Sequence, residues 1–162
     1  MLTETVETPI EPVVIRVEDG AVTQVDFGEP VFSGEGTPEE RAVMDKAKQQ
    51  LEEYFSGTRE QFELPLSVKG TDFQERVWQE LQRIPFGQAI SYQELAERIG
   101  NPKAMRAVGQ ANRRNPIGII IPCHRVIGKD KKLVGYAGNK VSLKEGLLVH
   151  EKVIAPPIFD KS

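Results

Sequence analysis

Ser91-Tyr92-Gln93-Glu94-Leu95-Ala96-Glu97-Arg98-Ile99-Gly100-Asn101-Pro102-Lys103-Ala104-Met105-Arg106-Ala107-Val108-Gly109-Gln110-Ala111-Asn112-Arg113 reads as two short helices joined by a tight turn. Ser91 and Glu94 have capping-box spacing, which opens the first helix with Leu95, Ala96 and Ile99 facing inward. Gly100 supplies the left-handed residue that ends it. Asn101-Pro102 is expected to cap a second helix at once, with Pro102 in its first position. Along that helix Ala104, Ala107, Val108 and Ala111 share one face, while Lys103, Arg106, Gln110 and Arg113 occupy the other. Small residues let the helix pack closely, and long polar ones reach outward. This is the helix-turn-helix pattern used on DNA, and its plain alternative is an αα-hairpin with a solvated basic face.

Charge favours the first, although an acidic and a basic half that simply hold each other would give the same split. Residues 1–82 carry seven basic and 18 acidic side chains, a net of −11, whereas residues 83–152 carry 13 basic and five acidic, a net of +8. A helix pair with a cationic free face inside the basic half points to a polyanion. Gln93, Asn101, Lys103, Arg106 and Gln110 are therefore the candidate DNA contacts.

Upstream, Val13–Val17 and Ala21–Phe27 are β-rich runs joined by the hairpin signal Glu18-Asp19-Gly20. Thr37-Pro38-Glu39-Glu40 combines an N-cap, Pro at the first helical position and a capping-box Glu, so a helix is expected from Pro38 to Phe55, stopping before Gly57. The stretch Phe62–Val68 is extended and interrupted by Pro65, which makes it a linker or edge segment. The domains are set at 1–66 and 67–155, with 156–162 as an irregular tail. Gly70-Thr71 starts the second unit, where Phe73, Val77, Trp78 and Leu81 recur at helical spacing. Met1–Glu11 is acidic and polar, with no export signal, and no apolar run approaches the ~20 residues that span a bilayer. A cytoplasmic, monomeric protein without membrane association is expected, nucleoid-associated in a prokaryote.

Downstream, one cysteine stands in the whole chain, in Ile121-Pro122-Cys123-His124-Arg125-Val126. One thiol makes neither an internal disulfide nor a cysteine-rich metal site, so Cys123 is either an inert packed thiol or a nucleophile. The run Ile119-Ile120-Ile121 is expected to lead into it as a strand. A thiol of ordinary pKa is only a few per cent thiolate at neutral pH, so a nucleophilic Cys needs a base. His124 is at hand, but adjacent side chains do not face each other on a strand or a helix, so a turn or a bridging water must close the gap. The last helix, Val141–Glu151, offers Glu151 on its apolar side to orient the imidazole, with Lys144 on the same side. His150 lies off that stripe and is expected as a surface or C-terminal helix residue.

Together these segments resemble the O6-alkylguanine-DNA alkyltransferases. The resemblance is carried by Gly70-Thr71, Phe73, Val77-Trp78, Ile90-Ser91-Tyr92, Arg106-Ala107-Val108-Gly109, Asn115-Pro116, Ile121–Val126, Gly135-Tyr136 and Leu147–Glu151. It is weaker upstream, through Tyr54-Phe55, Gly57, Phe62 and Leu64-Pro65-Leu66. It implies an α+β molecule, with a small ribonuclease-H-like α/β domain followed by a mainly α-helical one bearing a winged-helix-like helix-turn-helix. It implies repair of duplex DNA containing alkylated bases, approached from the minor groove, with the damaged nucleotide flipped out. In that scheme Cys123 takes the alkyl group once and irreversibly, from O6-alkylguanine and in some members from O4-alkylthymine. His124 is its base through a water, Glu151 orients His124, and Asn115 braces the turn before the active-site strand. Arg106 fills the vacated base position and Tyr92 presses on the flipped nucleotide. The carbonyls of Cys123 and Val126 accept from the guanine amine. Ala137 replaces a hydroxyl residue of some members, so any contact there is through backbone. Some members hold zinc or a disulfide; with one Cys and two His, both beyond residue 120, no metal or other cofactor is expected. A non-catalytic lesion-binding relative and a cysteine hydrolase are the competing readings. The cysteine argues against the first and the basic helix pair against the second.

Overall fold

The computed structural model describes residues 1–128 and 141–153; the expected tail lies outside them. The chain begins with an antiparallel meander, β1 (Leu2–Val6), β2 (Val13–Glu18) and β3 (Ala21–Phe27), with β2 in the centre. Val13, Ile15 and Val17 alternate inward along β2, as a half-buried strand requires. On β3 the inward residues are Val22, Val25 and Phe27, and a register shift beside Arg16/Val17 absorbs the odd spacing. The β2–β3 turn has positive φ at both Asp19 and Gly20, the conformation a two-residue hairpin needs. Strand β1 was not anticipated from sequence. Its acidic Glu4 faces helix α1 (Pro38–Ser56), where Arg41 and Lys48 pair with it, so an edge position that reads as polar is neutralised from outside the strand.

Helix α1 covers the sheet. Its capping box is complete between Thr37 and Glu40, and Gly57 ends it with φ +88°. The segment after it lies beside β3, where Val22 N–H donates to the Pro65 carbonyl and Ser67 N–H to the Val22 carbonyl. Helix α2 (Asp72–Leu81) buries Val77, Trp78 and Leu81, and the Trp78 indole donates to the Ala111 carbonyl at 2.9 Å. Strand β4 (Ile90–Ser91), helix α3 (Tyr92–Arg98), helix α4 (Met105–Arg113), strand β5 (Val126–Ile127) and helix α5 (Val141–His150) complete the described chain. The short β4 and β5 pair in parallel. One apolar cluster runs from Leu2 and Val25 through Trp78 and Val108 to Leu147, so both halves share a core.

The helix pair forms with two corrections. Ser91 caps α3 by accepting from Glu94 N–H, but the Glu94 carboxylate pairs with Arg98. Helix α4 begins at Met105, after Ala104, with no side-chain cap; Asn101 spends its backbone on the turn, accepting from Ala104 N–H. With its start three residues later than expected, α4 buries Val108, Ala111 and Asn112 and leaves Ala107 exposed.

Candidate active site

Cys123 does not follow a strand. The isoleucine run forms a turn in which Ile119 adopts φ +70°, a strained conformation for a β-branched residue. Three constraints hold it. Ile121 N–H donates to the Ile117 carbonyl at 3.0 Å; Asn115 Nδ2 donates to the Ile121 carbonyl at 2.8 Å; and Asn115 Oδ1 accepts from Ile117 N–H at 3.0 Å. The same turn docks on the edge of the N-terminal sheet, because Val25 N–H donates to the Pro116 carbonyl and Gly118 N–H to the Val25 carbonyl. A strand would have needed the N–H groups that this loop gives to β3 and to itself. Cys123, His124 and Arg125 then make a single 3-10 turn in which all three are buried.

That turn sends His124 toward α5. Its Nε2 lies 2.8 Å from Glu151 Oε2, both side chains being fully buried. Arg125 clamps the same carboxylate from its Nε at 2.8 Å and its second terminal nitrogen at 2.9 Å. Its remaining terminal nitrogen donates to the Ile84 carbonyl, and its guanidinium stacks over Phe86. The Tyr54 hydroxyl, from the last turn of α1, donates to Glu151 as well. Burial alone would raise the Glu151 carboxyl, but His124 and Arg125 hold it well below the usual carboxylate range. Burial pushes His124 below its ordinary value, helped by the charges of Arg125 and Lys144 and opposed by Glu151. A neutral imidazole donating Nε2–H to a carboxylate keeps its basic lone pair on Nδ1. Nδ1 is buried and meets no hydrogen-bond partner among the described residues.

The other wall of the site comes from α3, α4 and α5. Tyr92 is half-buried, and burial raises its phenol above the ordinary value, with Arg113 pulling the other way. Lys144 Nζ lies 3.4 Å from the Tyr92 hydroxyl and over its ring, and burial lowers its ammonium to about 8. A thiolate at Cys123 would raise both groups. Asn112 Nδ2 donates to the Cys123 carbonyl at 3.2 Å. Val126 N–H donates to that same Cys123 carbonyl. A cavity of about 420 Å³ opens between Tyr92 and α4, with Arg106, Gly109 and Arg113 on its wall.

Of the candidate DNA contacts, Lys103, Arg106 and Gln110 are exposed and bond no other described side chain. Asn101 is exposed in the turn, while Gln93 Nε2 is drawn to the Pro102 carbonyl at 3.0 Å. Ala137 lies outside the described residues.

Residues 1–68 match the family described as "6-O-methylguanine DNA methyltransferase, ribonuclease-like domain", and residues 72–153 match "6-O-methylguanine DNA methyltransferase, DNA binding domain". The constitutive methylated-DNA–protein-cysteine methyltransferase of Bacillus subtilis is 48% identical over 157 residues, covering 92% of this chain and 94% of that one. The chain belongs to the methylated-DNA–protein-cysteine methyltransferase family. The family member from Mycobacterium tuberculosis is 42% identical over 154 residues, with 94% of this chain and 93% of that one covered. A crystal structure of the M. tuberculosis O6-methylguanine methyltransferase superposes with a TM-score of 0.81 at 40% identity, over 99% of this chain and 98% of that one. Another, of that protein in complex with DNA, gives 0.80 over 93% of each chain. The α+β architecture expected from sequence, a ribonuclease-like unit before a helical DNA-binding unit, is that of this methyltransferase family.

Four residues of the site were not among the sequence candidates. Arg125 lay inside the quoted string, and its neighbour Glu151 had already been identified as an inward carboxylate needing partners. Asn112 continues the Ala104–Val108 stripe by one more turn. Lys144 was placed on the apolar side, where a buried amine is itself a signal. Tyr54 had no local signal, because its partner is 97 residues away. His150 ends the C-terminal helix and is half-buried, its Nε2 bonding the Tyr54 carbonyl at 2.7 Å and its ring packing on Tyr54, Phe55 and Phe86.

Proposed function

We propose that the protein repairs DNA by direct reversal, moving the alkyl group of O6-alkylguanine to Cys123 in a single irreversible turnover. The observation that carries this reading is the buried Glu151–His124 pair, whose unpartnered Nδ1 lies on the same 3-10 turn as the chain's one thiol. The thiol proton passes through a water to Nδ1. Cys123 Sγ attacks the alkyl carbon, the S–C bond forms, the C–O6 bond breaks, and its electron pair stays on the guanine oxygen. Tyr92 delivers a proton to the guanine ring, and Lys144 donates to the Tyr92 oxygen as charge develops there. Val126 accepts from the guanine amine. Asn115 acts through the turn that it braces.

The base reaches this site only if it leaves the duplex. Arg106, exposed at the rim of the cavity, is the side chain that takes its place, while Lys103 and Gln110 follow the backbone. Approach from the minor groove suits a scanner that must tolerate any sequence. We place the boundary between the two units at residue 66 and take the protein as a monomer acting in the cytoplasm on nucleoid DNA. Among the described residues, no helix is long and apolar enough to cross a membrane, and no group of three His, Cys, Asp or Glu is arranged to hold a metal.

Intact-mass measurement after incubation with duplex DNA containing O6-methylguanine tests the reading. The expected result is one methyl group per chain, on Cys123, and none in Cys123→Ala. Repeated turnover without a mass change overturns it.

A further inference from the structure

We infer that Tyr54 is a positioning residue for alkyl transfer: its hydroxyl shares the Glu151 carboxylate with His124 and Arg125, and so limits how strongly that carboxylate pulls on the imidazole. The inference rests on the alkyl-transfer reading above and assigns part of its chemistry to the N-terminal unit, which otherwise serves only as a scaffold.

Tyr54 is fully buried at the end of α1. Its ring meets Phe55 edge-on at 4.9 Å, Phe62 at 5.5 Å and His150 at 4.7 Å between centroids. Its backbone carbonyl is held by His150 Nε2. Ring and backbone are thus both fixed, and the hydroxyl has one direction to point. It reaches Glu151 Oε2, the oxygen that also takes His124 Nε2 and one Arg125 nitrogen, while Oε1 takes the Arg125 Nε. Three donors on one oxygen divide its negative charge. A buried carboxylate facing only an imidazole would stabilise the imidazolium, which has no lone pair with which to take the thiol proton. Arg125 and Tyr54 prevent that by competing for the same charge. The phenol remains a donor because burial, followed by the Glu151 charge, keeps it protonated.

The groups that bear on His124 come from several elements. Its own turn supplies Cys123 and Arg125, and α5 supplies Lys144 and Glu151 with His150 beside them. Among the described residues, Tyr92 of α3 and Arg113 of α4 bear in turn on Lys144, Tyr92 accepting from it and Arg113 opposing its charge. Among the described residues, Tyr54 is the contribution from the N-terminal unit. Its phenyl ring fills the aromatic cluster, so the hydroxyl can be removed without emptying the site.

The test uses the full chain and its Tyr54→Phe variant, with single-turnover methyl transfer from an O6-methylguanine duplex followed by intact mass across pH. Removing the hydroxyl leaves more carboxylate charge on His124, so the acid limb of the profile moves upward by about one pH unit. ¹⁵N-imidazole NMR of the same two proteins gives a second readout that does not need turnover, with the His124 titration moving up in parallel. An unshifted midpoint by both readouts, or a rate lowered equally at every pH, overturns the inference. If the wild-type chain accepts no methyl group, the alkyl-transfer reading fails instead, and the NMR titration alone decides whether Tyr54 acts on His124.

Discussion

The relay behind Cys123 and the outer face of α4 treat polar side chains in opposite ways. His124, Arg125, Glu151 and Tyr54 are buried, and their side chains converge on the Glu151 carboxylate. Lys103, Arg106 and Gln110 are exposed and make no side-chain bond within the described molecule. The first group is organised before any partner arrives, so its geometry costs nothing at the moment of reaction. The second keeps its donors for a partner. Substitutions should therefore separate cleanly: in the relay they disturb folding and chemistry together, and on α4 they disturb binding alone.

Glu151→Gln should produce the largest effect. Removing the carboxylate charge leaves the buried Arg125 guanidinium uncompensated, which costs about 3–5 kcal/mol when one partner of a buried pair is lost. Methyl transfer should be abolished with it, because His124 loses its orientation. Chemical denaturation and intact mass measure the two effects. A variant that folds normally but has lost transfer would show that Glu151 serves chemistry without supporting the core.

The pH dependence of stability should follow the relay and not α4. His124 has a lowered folded-state pKa, so below about 6.5 the unfolded chain takes up a proton that the folded chain resists. Stability therefore declines as pH falls through that region. Glu151, held ionised in the fold, adds a second loss once pH falls below about 4.5, where the unfolded carboxyl protonates. Lys144 acts at the other end. Its folded ammonium titrates at about 8 against 10.5 unfolded, so stability rises between those values as pH increases. Urea titrations at stepped pH should show the acid decline, and His124→Gln should remove its first stage.

The contrast also explains what was legible in the sequence. The basic face is a local pattern: Arg106 and Gln110 fall at helical spacing on α4, Lys103 stands in the turn before it, and their exposure needs no knowledge of the rest of the chain. Elements α1 and α2 were legible for the same reason, through the cap at Thr37 and the helical spacing of Phe73, Val77, Trp78 and Leu81. The relay is not local. Tyr54 meets Glu151 and Val25 meets Pro116 across long stretches of chain, so no spacing rule reports them. Ile119–Ile121 misled because β-branched residues favour strands. Here main-chain bonds to β3 and the Asn115 brace impose a turn, with tertiary contacts overriding propensity. Strand β1 was hidden by Glu4, which is neutralised from α1. Cys123 and His124 were found, but the way they cooperate depends on the turn between them.

On the α4 side, Arg106→Ala should slow methyl transfer from duplex DNA more than reaction with a free O6-alkylguanine base, since only the duplex has a vacated position to fill. As an exposed change it should move Tm by no more than about 2 °C. Equal slowing on both substrates would take Arg106 out of the flipping step and tie the two regions more closely than their burial suggests.

Lys103→Ala should have the smallest effect and is the most specific check on the outer face. Lys103 is exposed at the entrance to α4 and, among the described residues, its charge has no fixed partner. Contact with a phosphate releases a counterion and reads no base, so its loss should weaken binding to damaged and undamaged duplex alike. The slope of log affinity against log salt should become shallower by about one. The rate of methyl transfer at saturating DNA should be unchanged, because Lys103 makes none of the hydrogen bonds of the relay. Fluorescence anisotropy across a salt series, paired with single-turnover mass measurements, reads both quantities on one preparation. A slowed saturating rate would mean that the recognition face and the buried relay are coupled through α4, and their separation would then hold for structure but not for function.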